Sequence, residues 1–217
     1  MSAHMICATT IDHITVTASQ LAQGVAYVEA CLGVSMQPGG EHPRMGTHNQ
    51  LVRLGDNLFL EVIAPNPAAT APARARWFGL DRLAADSPAC LSTWVVRSTH
   101  IQSTVEQASE ELGPIEVMSR GNLQWQITIP ESGDMPLDGV APAVIEWPLG
   151  VHPAQQLPDQ GLSLQRFVIE HPRPEKVQRC LSAIELCTPV DVRPCNVGAK
   201  ARLYAEIQTP HGLRVLA

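Results

Sequence analysis

A chain of 217 residues with 45% hydrophobic and only 17% charged side chains can bury enough apolar surface to offset its ordering entropy, which excludes a disordered chain. Its 15 Lys and Arg against 21 Asp and Glu give a formal net charge of -6 without a basic run, so nucleic acid is excluded as a partner. No stretch approaches the roughly 18 uninterrupted apolar residues of a membrane helix. Residues 1–10 have neither a basic head nor a long apolar core, which predicts a cytoplasmic protein with no membrane partner. The six cysteines, Cys7, Cys31, Cys90, Cys180, Cys187 and Cys195, include no CxxC pair and read as reduced, mostly buried small hydrophobes.

In chain order, Ile11 to Thr17 alternates as a strand, with Ile14 and Val16 on one face and His13, Thr15 and Thr17 on the other. Ser19 is expected to cap a helix carrying Leu21, Val25, Val28 and Leu32 at helical spacing, and Gly33 stands where a left-handed C-cap ends it. Val34 to Met36 offers a short strand, and Pro38 to Gly46 reads as a turn-rich loop. Strands over His48–Leu54 and Asn57–Ala64, joined at Gly55-Asp56, complete a βαβββ unit.

The pattern recurs at a constant offset. His13 falls on Thr93, Leu21 on Ile101, Val25 on Val105, Leu32 on Leu112 and Gly33 on Gly113, with further strands expected at 115–118, 124–129 and 143–147. Between the copies, a Pro/Ala-rich linker carries Trp77 to Leu83 as a short helix. After Gly161 come a strand at 162–169, a helix at 174–184 begun by proline, and a hairpin over 201–208 and 213–216. The expected organisation is a first module at 1–64, a linker at 65–90, a second module at 91–149 and a C-terminal degenerate copy at 150–217.

Three features together resemble the vicinal oxygen chelate superfamily: Ile11-Asp12-His13-Ile14 opening a βαβββ unit, Gly33 after its helix, and Leu58-Phe59-Leu60-Glu61-Val62 as its fourth strand. More narrowly, Gly39-Gly40-x-His42-Pro43-x-x-Gly46-Thr47-His48-Asn49, Trp77-Phe78-Gly79-Leu80-Asp81 and Ile145-Glu146-Trp147 resemble its glyoxalase-like domain branch. The resemblance implies an α+β fold in which paired βαβββ modules form a curved mixed sheet around a cleft, with an additional C-terminal βαβββ-like unit. It also implies metal ligands from the first and fourth strands of each module. Carried over one residue at a time, these places fall on His13, Glu61 and Glu146. The fourth, where the family has a histidine, falls on or beside Thr93. One imidazole and two carboxylates would hold a divalent ion such as Zn, Fe, Mn, Ni or Mg, with water or substrate completing its shell.

The residues carry their own chemistry. His13 suits a ligand or general base, and Glu61 and Glu146, each between apolar neighbours, suit ligand or acid/base roles if they face inward. His42, His48 and Asn49 gather donors and acceptors at a strand mouth for substrate contact. Trp94, Trp125 and Trp147 would line a cleft for an apolar substrate, and Arg97 or Arg214 would clamp a carboxylate. There is no phosphate loop, GxSxG or HExxH motif. The expectation is a small-molecule enzyme with metal-assisted proton transfer, isomerisation, lyase or dioxygenase-like chemistry on vicinal oxygens. The alternatives are a metal-free protein that sequesters a small molecule in the same cleft, and an interaction protein whose exposed strand edges pair as a homodimer.

Overall fold

Alternation along β1 (Thr9–Thr17) sends Ile14 and Val16 to one face, where both are completely buried, and this strand becomes the centre of the molecule. The computed structural model describes residues 8–196 and 198–217; Cys7 and the rest of the amino-terminal segment lie outside the described residues. After β1 come α1 (Leu21–Leu32), β2 (Gln37–His42), β3 (Thr47–Gly55) and β4 (Leu58–Pro65). The second module follows with β5 (Cys90–Ser98), α2 (Ile101–Gln107), β6 (Ile115–Arg120), β7 (Leu123–Thr128) and β8 (Ala143–Glu146). The C-terminal unit is β9 (Ser163–His171), α3 (Pro174–Ala183), β10 (Asp191–Pro194), β11 (Arg202–Thr209) and β12 (Gly212–Leu216).

The two modules form one eight-stranded sheet in the order β2-β3-β4-β1-β5-β8-β7-β6. Each first strand pairs in parallel with its module's fourth, β1 with β4 and β5 with β8, and the modules join where β1 and β5 run antiparallel. The sheet curls until its outer strands approach each other. Arg44, just after β2, donates to the Val117 carbonyl on β6 at 2.9 Å and pairs with Glu116, which Arg74 from the linker also holds at 2.9 Å. These fold-level expectations therefore hold: the protein is α+β, with paired βαβββ modules around a cleft.

One face of the sheet is covered. Val28 and Leu32 of α1 and Phe167, Ile169, Leu203, Ala205 and Ile207 of the C-terminal unit share a buried apolar cluster with Ile14, Leu60, Val62 and Trp94. Full burial of each such side chain stabilises by about 1.5–3 kcal/mol. The C-terminal unit has the element order expected of it, but its sheet runs β10-β9-β11-β12, so its first strand pairs in parallel with the second rather than the fourth. It packs on the outer face and leaves the cleft to the first two modules.

Local readings fared unevenly. Gly33 ends α1 with φ of 70° and donates to the Glu29 carbonyl at 2.8 Å, as its lack of a Cβ allows. Ser19 does not cap α1: the N-cap is Gln20, and the Ser19 hydroxyl instead donates to Gln23 and to the Ala85 carbonyl. The second strand of module one is the Pro38-Gly39-Gly40 segment, not residues 34–36, because β3 supplies ladder partners as far as His42. Cys187 is disulfide-bonded, which corrects the expectation of six reduced cysteines; Cys31, Cys90, Cys180 and Cys195 are free. Among the described residues, no helix is long and apolar enough to cross a membrane.

Candidate active site

Strict alternation would put Asp12 and His13 on opposite faces of β1. Pairing with β5 slips between them, since Ile11 faces Val96 while His13 faces Val95, and Asp12 is the extra residue of a β-bulge. The bulge turns the Asp12 carboxylate to His13, whose Nδ1 lies 2.6 Å from Asp12 Oδ1. The other oxygen receives Trp147 Nε1 and His152 Nε2, each at 3.0 Å, and Arg97 Nη1 stands 3.8 Å away. Asp12 has no exposed surface. Burial alone would raise its pKa, but the hydrogen bonds it accepts from His13 and His152 outweigh burial and hold the carboxyl below the usual carboxylate range.

An ionised carboxylate only accepts, so each of its partners donates. His13 therefore carries a proton on Nδ1 and presents Nε2 to the cavity. His152 Nδ1 accepts from the Ala154 amide at 3.2 Å, which leaves its proton on Nε2 for Asp12. Stacking of the His13 ring on Phe59, with centroids 4.5 Å apart, fixes the remaining freedom of the imidazole.

Opposite His13 Nε2, at 3.6 Å, lies Glu61 Oε2. Leu60 and Val62 pack into the covered face, so alternation along β4 points Glu61 into the curl of the sheet. Asn49 Nδ2 donates to Glu61 Oε1 at 2.5 Å, and the Thr15 hydroxyl donates to Oε2 at 3.4 Å. Asn49 Oδ1 accepts from Gly40 N at 2.9 Å and from Arg120 Nη1 at 3.3 Å, which carries the guanidinium of β6 across the gap between modules toward Glu61.

His13, Glu61 and Arg120 line one cavity, walled by Phe59, Trp77, Phe78, Trp125 and Trp147. Only about 30 Å³ is open to the centres of water-sized molecules, so it is narrow. Trp77 and Trp125 are buried, and neither indole N–H has a hydrogen-bond partner among the described residues. Such orphaned donors cost about 1–3 kcal/mol each. His42 lines the same cavity, edge-on to Trp77 and Trp125. Burial, then the charge of Arg120, pushes it down to about 3, so it is neutral.

The structure thus brings together His13, Glu61, His42, Trp125 and Trp147 of the expected residues, and Asn49 reaches the site through Glu61. It separates the others. Glu146 faces away, because Ile145 and Trp147 on either side take the inward positions; its carboxylate instead accepts the Ile101 amide at 2.7 Å at the start of α2. Trp94 points to the covered face, donates to the Val140 carbonyl at 2.8 Å and packs on Phe167. His48 sits on β3 opposite Glu41, outside the cavity lining. Arg97 binds Thr10 and the Asn57 carbonyl rather than the cavity. Asp12, Arg120 and His152 were missed. Only the adjacency of Asp12 to His13 could have pointed to any of them.

The residues do not fit the divalent ion that the resemblance implies. With Glu146 turned away, the second module supplies Ile127, Ile145, Trp125 and Trp147 to the cavity, and among the described residues its charged group there is the cation Arg120. His13 and Glu61 are two donors that face each other, and His42 on the same lining does not complete a group of three with them, where such a site needs three or four. No group of three or more His, Cys, Asp or Glu able to hold a metal occurs among the described residues.

The model of the glyoxalase-like domain family matches residues 11–184. The chain belongs to that family. No curated protein matches. Among solved structures, a hypothetical protein from Staphylococcus aureus is 14% identical with a TM-score of 0.56, and the match covers 95% of this chain and 84% of that one. A methylmalonyl-CoA epimerase in complex with methylmalonyl-CoA and NH4+ is 11% identical with a TM-score of 0.43, the match covering 67% of this chain and 99% of the other. A Streptomyces coelicolor methylmalonyl-CoA epimerase variant in complex with 2-nitronate-propionyl-CoA is 13% identical with a TM-score of 0.45 over the same shares. The first of these supports the glyoxalase-like fold, with both modules and the C-terminal unit covered.

Proposed function

We propose that this glyoxalase-like protein is a small-molecule enzyme that moves a proton between adjacent carbons of an α-hydroxycarbonyl compound, a substrate with vicinal oxygens, without drawing on a metal. The observation that carries this reading is the convergence of His13 Nε2 and Glu61 Oε2 at 3.6 Å, in a narrow cavity, with Asp12 fixing the imidazole from behind. His13 Nε2 takes the proton from the carbon that bears the hydroxyl. The C–H electron pair becomes the C=C bond of an enediolate, and the carbonyl oxygen gains the negative charge. Arg120 is the cationic donor on the cavity lining for that oxygen. Glu61 relays the hydroxyl proton between the two oxygens, and His13 returns its proton to the neighbouring carbon, so proton and charge balance.

The experiment is proton NMR in D2O with hydroxyacetone and related α-hydroxycarbonyl compounds. The expected result is loss of the substrate C–H signals with the protein, slowed at least about a hundredfold in His13→Gln. No exchange by the parent protein with any of them, under conditions where cavity tryptophan fluorescence reports binding, would leave the same cleft as a sequestering site.

A further inference from the structure

The cavity at His13 is too narrow for more than a reacting head, yet it shares Arg120 and Pro153 with a much larger groove, of about 720 Å³, that opens to the surface. The groove runs between β2 and the β6–β7 turn, with Pro38, Pro43, Leu51, Leu123 and Leu157 on its walls. Among the described residues its charged lining is Glu41 and Arg120, and Arg120 is turned toward Glu61 through Asn49. The floor depends on glycine. A Cβ on Gly40 would come within 2.8 Å of Arg120 Cδ, and one on Gly39 within 2.0 Å of Asn49 Oδ1, so a side chain at either position would displace the groups that join groove to cavity.

We infer that the substrate is elongated, with a small α-hydroxycarbonyl head in the cavity and an uncharged, partly apolar tail lying in this groove. The inference rests on the proposed reaction for its head and on the groove alone for its tail. A phosphorylated or nucleotide tail is disfavoured by the lining, which among the described residues offers no cation besides Arg120 and places Glu41 along the path. An alkyl tail matches the proline and leucine walls, and each methylene it buries should tighten binding about threefold to fourfold.

The test measures dissociation constants by calorimetry, and C–H exchange in D2O, for straight-chain 1-hydroxy-2-alkanones from hydroxyacetone to 1-hydroxy-2-octanone. Ser119→Trp and Gln156→Trp, both at exposed positions on the groove wall, are measured alongside the parent, with circular dichroism to confirm that each folds. The expected result is a dissociation constant that falls about threefold per methylene in the parent and loses that dependence in either tryptophan variant. Affinity independent of chain length in the parent, or a dependence that both folded variants retain, overturns the groove assignment. Exchange reads the head separately. Chain-length dependence without exchange upholds the groove and refutes the proton-transfer reading, exchange without chain-length dependence does the reverse, and absence of both overturns both.

Discussion

Replacing Asp12 with Asn tests the dyad from its buried side. If the amide oxygen keeps the position that receives Trp147 and His152, the amide nitrogen faces His13 Nδ1, where a 2.6 Å contact to a carboxylate now lies. Two donors cannot share that contact, so His13 must move its proton to Nε2 and present a donor to the cavity. Exchanging the carboxylate's charge-assisted hydrogen bonds to His13, Trp147 and His152 for neutral ones removes about 1.5–3 kcal/mol, which for a chain of this length lowers Tm by about 4–10 °C. Loss of the base lowers C–H exchange by about 10²- to 10⁴-fold. The pH dependence has a definite sign. Asp12 has its folded pKa depressed below the 3.8 of a free carboxyl, so its contribution is fully present above about pH 5 and is lost as pH falls through the folded value. Urea titrations should show a constant stability gap between parent and variant from about pH 5 upward and a narrowing gap below about pH 4. A gap that persists unchanged in acid, or a variant with parental exchange rates, would refute the reasoning.

Other changes separate the site from its scaffold. Glu146→Ala removes the carboxylate that holds the first amide of α2 and should cost about 1 kcal/mol in urea unfolding while leaving C–H exchange unchanged. Trp94→Leu, on the covered face, should cost about 2–4 kcal/mol through lost packing on Phe167 and an orphaned Val140 carbonyl, with ligand affinity by calorimetry unaltered. Because His42 is pushed down to about 3, the unfolded chain binds a proton between about pH 6.5 and 3 that the native state refuses. Stability should therefore fall by up to about 1.4 kcal/mol per pH unit across that window, and His42→Gln should flatten the slope.

The fold was legible because its signals are local. Alternation in β1 and β4, helical spacing in α1 and the left-handed Gly33 are each dictated by a few neighbouring residues. Part of the site was legible for the same reason: His13 and Glu61 interrupt apolar strands at inward positions. Asp12 escaped because a bulge exists only in the register between β1 and β5, and period-two reading assumes there is none. His152 reaches Asp12 across the chain from a short 3-10 turn that carries no periodic signal. The inward reading of Glu146 failed against information that was present, since Ile145 and Trp147 flank it, and apolar residues on both sides of a strand position claim the inner face. Trp94 was placed in the cleft because the sequence does not say that a C-terminal sheet covers the opposite face and gives an indole a core there.

The most direct measurement is the rate of hydroxyacetone C–H exchange in D2O for the parent protein and for His13→Gln, Glu61→Gln and Glu146→Gln, each prepared and assayed identically. The expected result is exchange by the parent, a loss of about 10²-fold or more in the first two variants, and a parental rate in the third. Parental exchange in His13→Gln and Glu61→Gln, or a loss confined to Glu146→Gln, would contradict the assignment of the chemistry to the Asp12–His13 dyad and Glu61.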